Sequence, residues 1–244
     1  MPFFQNGEVR IHYEVSGSGY PVLMLAPGGM RSTIDFWNRM PFNPVVDLAS
    51  DFQVVAMDQR NAGESIAPIS ASDGWEAYAG DQLALMDHLG HRRFHAVGCC
   101  IGCSFILKLA QLAPQRITAG GMLQPIGFNP EEPNLFFNLF DGWAQEQKQQ
   151  RHDVSDAALA AFRNHMFPGQ AGDFVFSVTR DFVRQCQLPM LLMSGSDAPH
   201  PAVTSRELAQ IAPRIEVIET WKTPATAPAA SARLRAFLQE HQPR

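Results

Sequence analysis

Charge is scarce in this chain, and long hydrophobic runs are missing. Only 18% of its 244 residues are charged, 19 Lys and Arg against 24 Asp and Glu, so the formal net charge is −5. No basic patch stands out, which argues against a nucleic-acid partner. Apolar runs such as residues 189–193 fall far short of the ~20 residues that a membrane-spanning helix requires. The opening Met1, Pro2, Phe3, Phe4, Gln5 and Asn6 lacks the basic and long apolar regions of a signal peptide. A cytoplasmic protein with no membrane partner is therefore expected. Cysteine is sparse too, at four. Cys100 and Cys103 have a Cys-x-x-Cys spacing, but the second pair of a tetrahedral zinc site is missing, so neither metal nor cofactor is expected. No internal repeat appears, and only the Ala/Pro-rich residues 223–230 are of low complexity.

What remains is an ordinary apolar share of 45%, in a chain long enough to bury a full core. One α/β domain over residues 1–244 is the expectation. Strand signals fall at residues 9–15, 22–26, 52–57, 117–123, 188–193 and 214–218. Helical signals fall at residues 75–89, where Gly90 is a stop signal, and at 229–241. Such alternation predicts a mostly parallel, doubly wound sheet with helices on both faces. Residues 128–187 break the rhythm with Phe136, Phe137, Phe140, Trp143, Phe162, Met166, Phe167, Phe174 and Phe176. They read as a small helical cap insertion over the carboxyl edge of the sheet. Most of these aromatics would bind the cap to the core. Phe136, Phe137, Phe140 and Trp143 are the candidates for a substrate pocket, since ligand sites are largely apolar.

The most informative stretch is Val97, Gly98, Cys99, Cys100, Ile101, Gly102 and Cys103. It reads as G-x-C-x-G, a strand-to-helix turn that holds its central residue in a strained conformation and projects the side chain from the sheet edge. Gly98 and Gly102 suit it because a Cβ at either would crowd the turn. His95, Ala96 and Val97 precede it like a buried strand end. Phe105, Ile106, Leu109, Ala110 and Leu112 follow at helical spacing. Cysteine at the centre is a good intrinsic nucleophile that needs less help from a base than serine does. The plainer reading is a tight turn lined with small buried thiols.

These features resemble the α/β-hydrolase superfamily, in particular its small, capped esterase, lactonase and C–C hydrolase branch. Four landmarks carry the resemblance along nearly the whole chain. They are the turn Pro27, Gly28, Gly29; the loop Asp58, Gln59, Arg60, Asn61, Ala62, Gly63, Glu64, Ser65; the cysteine turn; and the stretch from Pro189 to Asp197. The loop is similar to Asp-x-Arg-Gly-x-Gly-x-Ser, with Asn61 where glycine is usual. The resemblance implies an oxyanion hole from the N–H of Ile101 and that of Gly29, with Gly28 as the alternative. It implies Asp197 as the triad carboxylate, although an Asp after Gly-Ser is also a good turn former.

The base departs from the family pattern. Its histidine normally follows the last strand, but here Glu219, Thr220, Trp221, Lys222, Thr223 and Pro224 follow. The later His241 sits on the terminal helix, a surface position. His200, three residues beyond Asp197, is one candidate; Lys222, acting in a Cys–Lys dyad, is another; no base at all is the third. His12, His88, His91 and His95 read as structural, and nothing in the spacing of His152 or His165 assigns either to a site. The leading expectation is a cysteine-nucleophile hydrolase of a small, partly apolar ester, lactone or activated carbonyl compound, with Cys100, Asp197 and His200 catalytic. Two alternatives stay open: an inactive relative that binds a small hydrophobic ligand, and a lyase or isomerase using the same oxyanion hole. A homodimer is compatible with the sequence.

Overall fold

Alternating strand and helix signals become layers in the computed structural model, which describes residues 2–168 and 174–243. The strands are β1 (Phe3–Asn6), β2 (Val9–Ser16), β3 (Tyr20–Leu25), β4 (Phe52–Met57), β5 (Phe94–Cys100), β6 (Ile117–Pro125), β7 (Met190–Met193) and β8 (Ile215–Ile218). They form one sheet in the order β1-β2-β4-β3-β5-β6-β7-β8. The β1–β2 and β2–β4 pairs are antiparallel, and every later pair is parallel. The protein therefore has the α/β-hydrolase fold. The short edge strand β1, closed by Gly7 at φ 59°, has too few residues to show a period and was not expected.

Strand periodicity sorts the core. On β3, Leu23 and Leu25 face one hydrophobic cluster, while Val22 and Met24 face the other. Helices cover both faces: α1 (Pro44–Asp47), α2 (Trp75–His88), α3 (Ile101–Leu112), α4 (Leu135–Gln150), α5 (Asp156–Met166), α6 (Arg180–Gln185), α7 (Ala202–Ile211) and α8 (Ala227–Glu240). The central α3 has every residue from Ile101 to Ala110 buried, and Lys108 reaches Glu76 at 2.9 Å.

Between β6 and β7 the chain inserts α4, α5 and α6. Ser155 caps α5 by accepting from the Ala158 N–H at 3.1 Å, and Thr179 caps α6 by accepting from Phe182 at 3.2 Å. The insertion is tied to the sheet domain from several sides. Trp75 Nε1 donates to Met166 O at 2.9 Å, Arg31 grips Glu146 through two 2.8 Å bonds, and Arg151 Nη1 donates to Ala67 O at 2.7 Å. Phe162 and Phe167 pack on Tyr78 and Trp75 at ring distances of 5.8 and 6.0 Å.

Candidate active site

All the parallel strands end on the same edge of the sheet, and Gly29, Cys100, Phe136, Phe140 and His200 line one cavity there. Cys100 is the hinge between β5 and α3, at φ 58° and ψ −119°. That left-handed backbone is costly for a residue with a Cβ and holds only where the surroundings fix it. They do so through the flanking glycines. A Cβ on Gly98 would stand 2.4 Å from the Gly102 carbonyl carbon, and one on Gly102 would stand 2.2 Å from Leu25 O. Strand, turn and helix thus close on one another with no room to relax.

The Cys100 sulfur opens on a cavity of about 330 Å³. Burial alone would push its thiol up. The imidazole of His200, joined by the N–H groups of Gly28 and Ile101, outweighs burial and holds Cys100 below the usual thiol range. Burial also acts on Cys99, Cys103 and Cys186, and it pushes all three up. Cys103 turns inward, its sulfur 3.3 Å from both Gly98 O and Leu123 O.

His200 and Asp197 share the loop after β7. Their side chains bond through His200 Nδ1 and Asp197 Oδ1, and the His200 N–H donates to the same oxygen at 3.2 Å and to Asp197 O at 3.0 Å. A Cβ on Gly195 would stand 2.5 Å from His200 O, so glycine there lets the loop fold back on itself. Ser205 Oγ accepts from the Gly195 N–H at 3.0 Å, and Asn129 Nδ2 donates to Ala198 O at 3.2 Å. His200 Nε2 is buried without a hydrogen-bond partner, on the wall of the cavity that Cys100 also lines. Burial would push the imidazole down; Cys100 and Asp197 together outweigh it and hold His200 above the usual histidine range.

Lys222 lies beside this pair and off the cavity wall. Its Nζ stands 3.5 Å from Asp197 Oδ2 and 5.6 Å from the centroid of the Trp221 ring. Of the two base candidates, His200 shares the cavity wall with Cys100 and Lys222 does not. Among the described residues His200 is also the one histidine on the cavity wall. His12 pairs with Asp58 at 3.0 Å, His165 meets Asp73 O, and His241 meets Phe237 O.

On the opposite side, Gly28 (φ 124°) and Gly29 (φ 61°) form the turn after β3. The N–H of Gly28, beside that of Ile101, helps to lower the Cys100 thiol, which makes Gly28 the nearer of the two glycine candidates in effect. Gly29 stands on the cavity wall, and its carbonyl accepts from Ser32 Oγ at 2.7 Å and Gln59 Nε2 at 3.4 Å. The loop after β4 braces this turn. Gln59 N donates to Ser32 O at 3.0 Å, and Asp58 accepts from Ile34 and Glu64 N–H groups at 2.9 and 3.0 Å. Asn61, which takes the place of a glycine, has φ 57°, and its Oδ1 accepts from Ala67 N at 2.8 Å. Asparagine tolerates that backbone better than most residues. Arg60 anchors the loop from below, bonded to Asp81 at 2.6 and 2.9 Å and to Asp73 at 3.3 Å.

The pocket assignment needs correction. Phe136 and Phe140 line the cavity, but Phe137 and Trp143 do not. Phe137 is rotated about 100° from Phe136 by the helical period and lies under Arg163, 4.6 Å from it. Trp143 shares the face of Phe140 but is a turn too far along. Its indole donates to Asn61 O at 3.4 Å and lines a separate, polar hollow. Met30, Phe36, Met40, Leu139, Phe167 and Arg39 are wall residues that sequence reasoning missed. Scattered across short 3₁₀ turns, helices and loops, they leave no local pattern.

Among the described residues no group of three or more His, Cys, Asp or Glu is gathered as if to hold a metal ion, and no helix is long and apolar enough to cross a membrane.

Relatives agree with this architecture. A putative carbamate hydrolase, RutD, of Azorhizobium caulinodans is 31% identical over 120 residues, which span 48% of this chain and 42% of that protein. A fluoroacetate dehalogenase of a Burkholderia species is 38% identical over 96 residues, 38% of this chain and 30% of the relative. The chain thus matches less than half the length of these curated relatives. A solved structure described as Est816, an N-acyl homoserine lactone degrading enzyme, superposes with a TM-score of 0.68 at 23% identity, covering 97% of this chain and all of that one. Residues 21–209 match the family described as alpha/beta hydrolase fold. That stretch runs from β3 into α7, well over half of the chain, and the protein belongs to the alpha/beta hydrolase fold family.

Proposed function

We propose that the protein is a cysteine-dependent hydrolase of a small, partly apolar ester, lactone or activated carbonyl compound. The carrying observation is that Cys100 and His200 line one largely apolar cavity, with Asp197 bonded to the far side of the imidazole. In this reading the Cys100 thiolate attacks the carbonyl carbon, and the carbonyl π electrons move to an oxygen held by the Gly28 and Ile101 N–H groups. Removing one such donor typically costs about 2.7–4 kcal/mol. When that oxyanion collapses, the C–O bond breaks, the leaving oxygen takes the proton from His200 Nε2, and a thioester remains. Water then attacks the thioester and yields a proton to His200, and collapse expels the Cys100 thiolate with the free acid. Asp197 orients the imidazole and stabilises its charged form. The inserted helices act as a cap that keeps bulk water from the thioester.

Named relatives that act on carbamates, fluoroacetate and lactones support hydrolysis in general and select no single substrate. The ligand-binding alternative rested on the missing base, and the place of His200 beside Cys100 on the cavity wall supports hydrolysis over it. A test is turnover of p-nitrophenyl acetate with acid quenching and peptide mapping. The expected result is an acetyl group on the peptide carrying Cys100 and loss of turnover in Cys100→Ala. Undiminished turnover in that variant, or no turnover of any activated ester, would overturn the reading.

A further inference from the structure

The cavity wall carries two cations, Arg31 and Arg39, in a chain whose net charge is −5. Their situations differ. Arg31 is engaged, held by Glu146 through two 2.8 Å bonds. Arg39 is exposed at the end of the 3₁₀ turn Ile34–Arg39, and its guanidinium lies 4.5 Å from the centroid of the Phe36 ring. No carboxylate among the described residues is within ion-pair range of it. Stacking on an aromatic face holds a planar guanidinium in place and leaves its N–H edge free for an oxygen pair.

Two further observations set this group at the site. Phe36 is itself part of the cavity wall. Met40, the next residue along, has its sulfur 3.7 Å from that of Cys99, directly behind the nucleophile turn. The other wall residues near them, Pro27, Met30, Met40, Phe136 and Phe140, are apolar.

Building on the hydrolase reading, we infer that Arg39 is a specificity-determining residue that binds a carboxylate of the substrate. The substrate class is then an ester or lactone carrying a free carboxylate, separated from the scissile carbonyl by a short apolar chain. A neutral ester of the same length fills the apolar part of the cavity and forgoes the ion pair.

The matched probes are mono-p-nitrophenyl adipate and p-nitrophenyl hexanoate, which share a six-carbon acyl chain and differ in the terminal carboxylate. The readout is the ratio of their kcat/KM values, in which losses of folded protein cancel. Arg39→Gln should lower the adipate-to-hexanoate ratio about ten- to a hundredfold, the usual weight of a charge-assisted hydrogen bond. Arg39→Lys should retain part of it. Arg92→Gln, an exposed cation before β5 at the opposite edge of the sheet, should leave the ratio unchanged. An unchanged ratio in Arg39→Gln, or an equal fall in Arg92→Gln, would overturn the assignment. If no ester is turned over, the hydrolase reading fails separately, and binding decides the role of Arg39. Adipate should raise the melting temperature of the wild type but not of Arg39→Gln. Adipate that stabilises both equally, or neither, removes the carboxylate site.

Discussion

The indole N–H of Trp221 donates to the main-chain oxygen of Ser194 at 2.9 Å, and the ring is 1% exposed. This bond joins the loop after β8 to the loop that carries Asp197 and His200. It also fixes where Lys222 stands, on the outer oxygen of Asp197. The position after the last strand thus supports the carboxylate electrostatically, while the imidazole comes from the carboxylate's own loop.

His200→Ala should reduce turnover of an activated ester by roughly 10²–10⁴, the usual contribution of a general base. Asp197→Asn should do less harm, because the His200 N–H bond to Asp197 O is made by main-chain atoms and survives. Lys222→Ala should cost less still. Steady-state kinetics on the three variants checks the order, and a Lys222→Ala loss exceeding that of His200→Ala would favour the lysine as base.

Limiting iodoacetamide should alkylate Cys100 before the other three cysteines. Its thiol lies below the usual range and opens on the cavity, whereas burial pushes Cys99, Cys103 and Cys186 up. Labelling should persist to lower pH than that of an ordinary thiol and should slow in His200→Ala. Mass mapping of the modified peptides reads both results, and early labelling of Cys186 would contradict them.

Phe136→Ala should raise KM for an apolar ester several-fold more than Phe137→Ala does. Only Phe136 faces the cavity, stacked against Phe167 at 5.2 Å. Phe136→Ala should also destabilise the fold, by up to the roughly 3–5 kcal/mol of a buried aromatic truncation. Denaturation curves separate that loss from the effect on KM.

Acid should weaken the fold through His95. Burial is the main cause that drives its imidazole down to about 3, against about 6.5 in the unfolded chain. Between those values the unfolded state binds the extra proton, so stability rises with pH and falls as pH drops below ~6.5. The expected loss at pH 5 is roughly 2 kcal/mol. His95→Leu should flatten the dependence, since the ring packs among Tyr20 and Phe52, although it gives up the 2.8 Å bond to Thr118. Urea midpoints at pH 5 and pH 8 test this.

Legibility in the sequence followed how local the cause was. The turn at Cys100 was legible because Gly98 and Gly102 satisfy a steric demand within five residues. The sheet was legible because buried parallel strands read as apolar runs, as Phe52–Met57 does at its observed bounds. His200 could be named from its distance to Asp197, but its choice over Lys222 depends on how Gly195 folds the loop. The cavity wall was half legible. Aromatics in residues 128–187 marked a packed region, yet which ones face Cys100 depends on the rotation and length of α4. Arg39 was silent because an unpaired arginine in a turn looks like any solvated charge until Phe36 and the cavity are beside it.

Asp197 and His200 are three residues apart on one loop, and that has a mechanical consequence. An acid and a base delivered by separate strands lose alignment whenever those strands shear. Here the pair travels as a unit, so breathing between β7 and β8 leaves the imidazole's orientation intact. The one span still open to fluctuation is that from this unit to Cys100, across β6. Motions that alter it should tune the proton transfer, and those of the last strand should reach the pair only through Trp221 and Lys222.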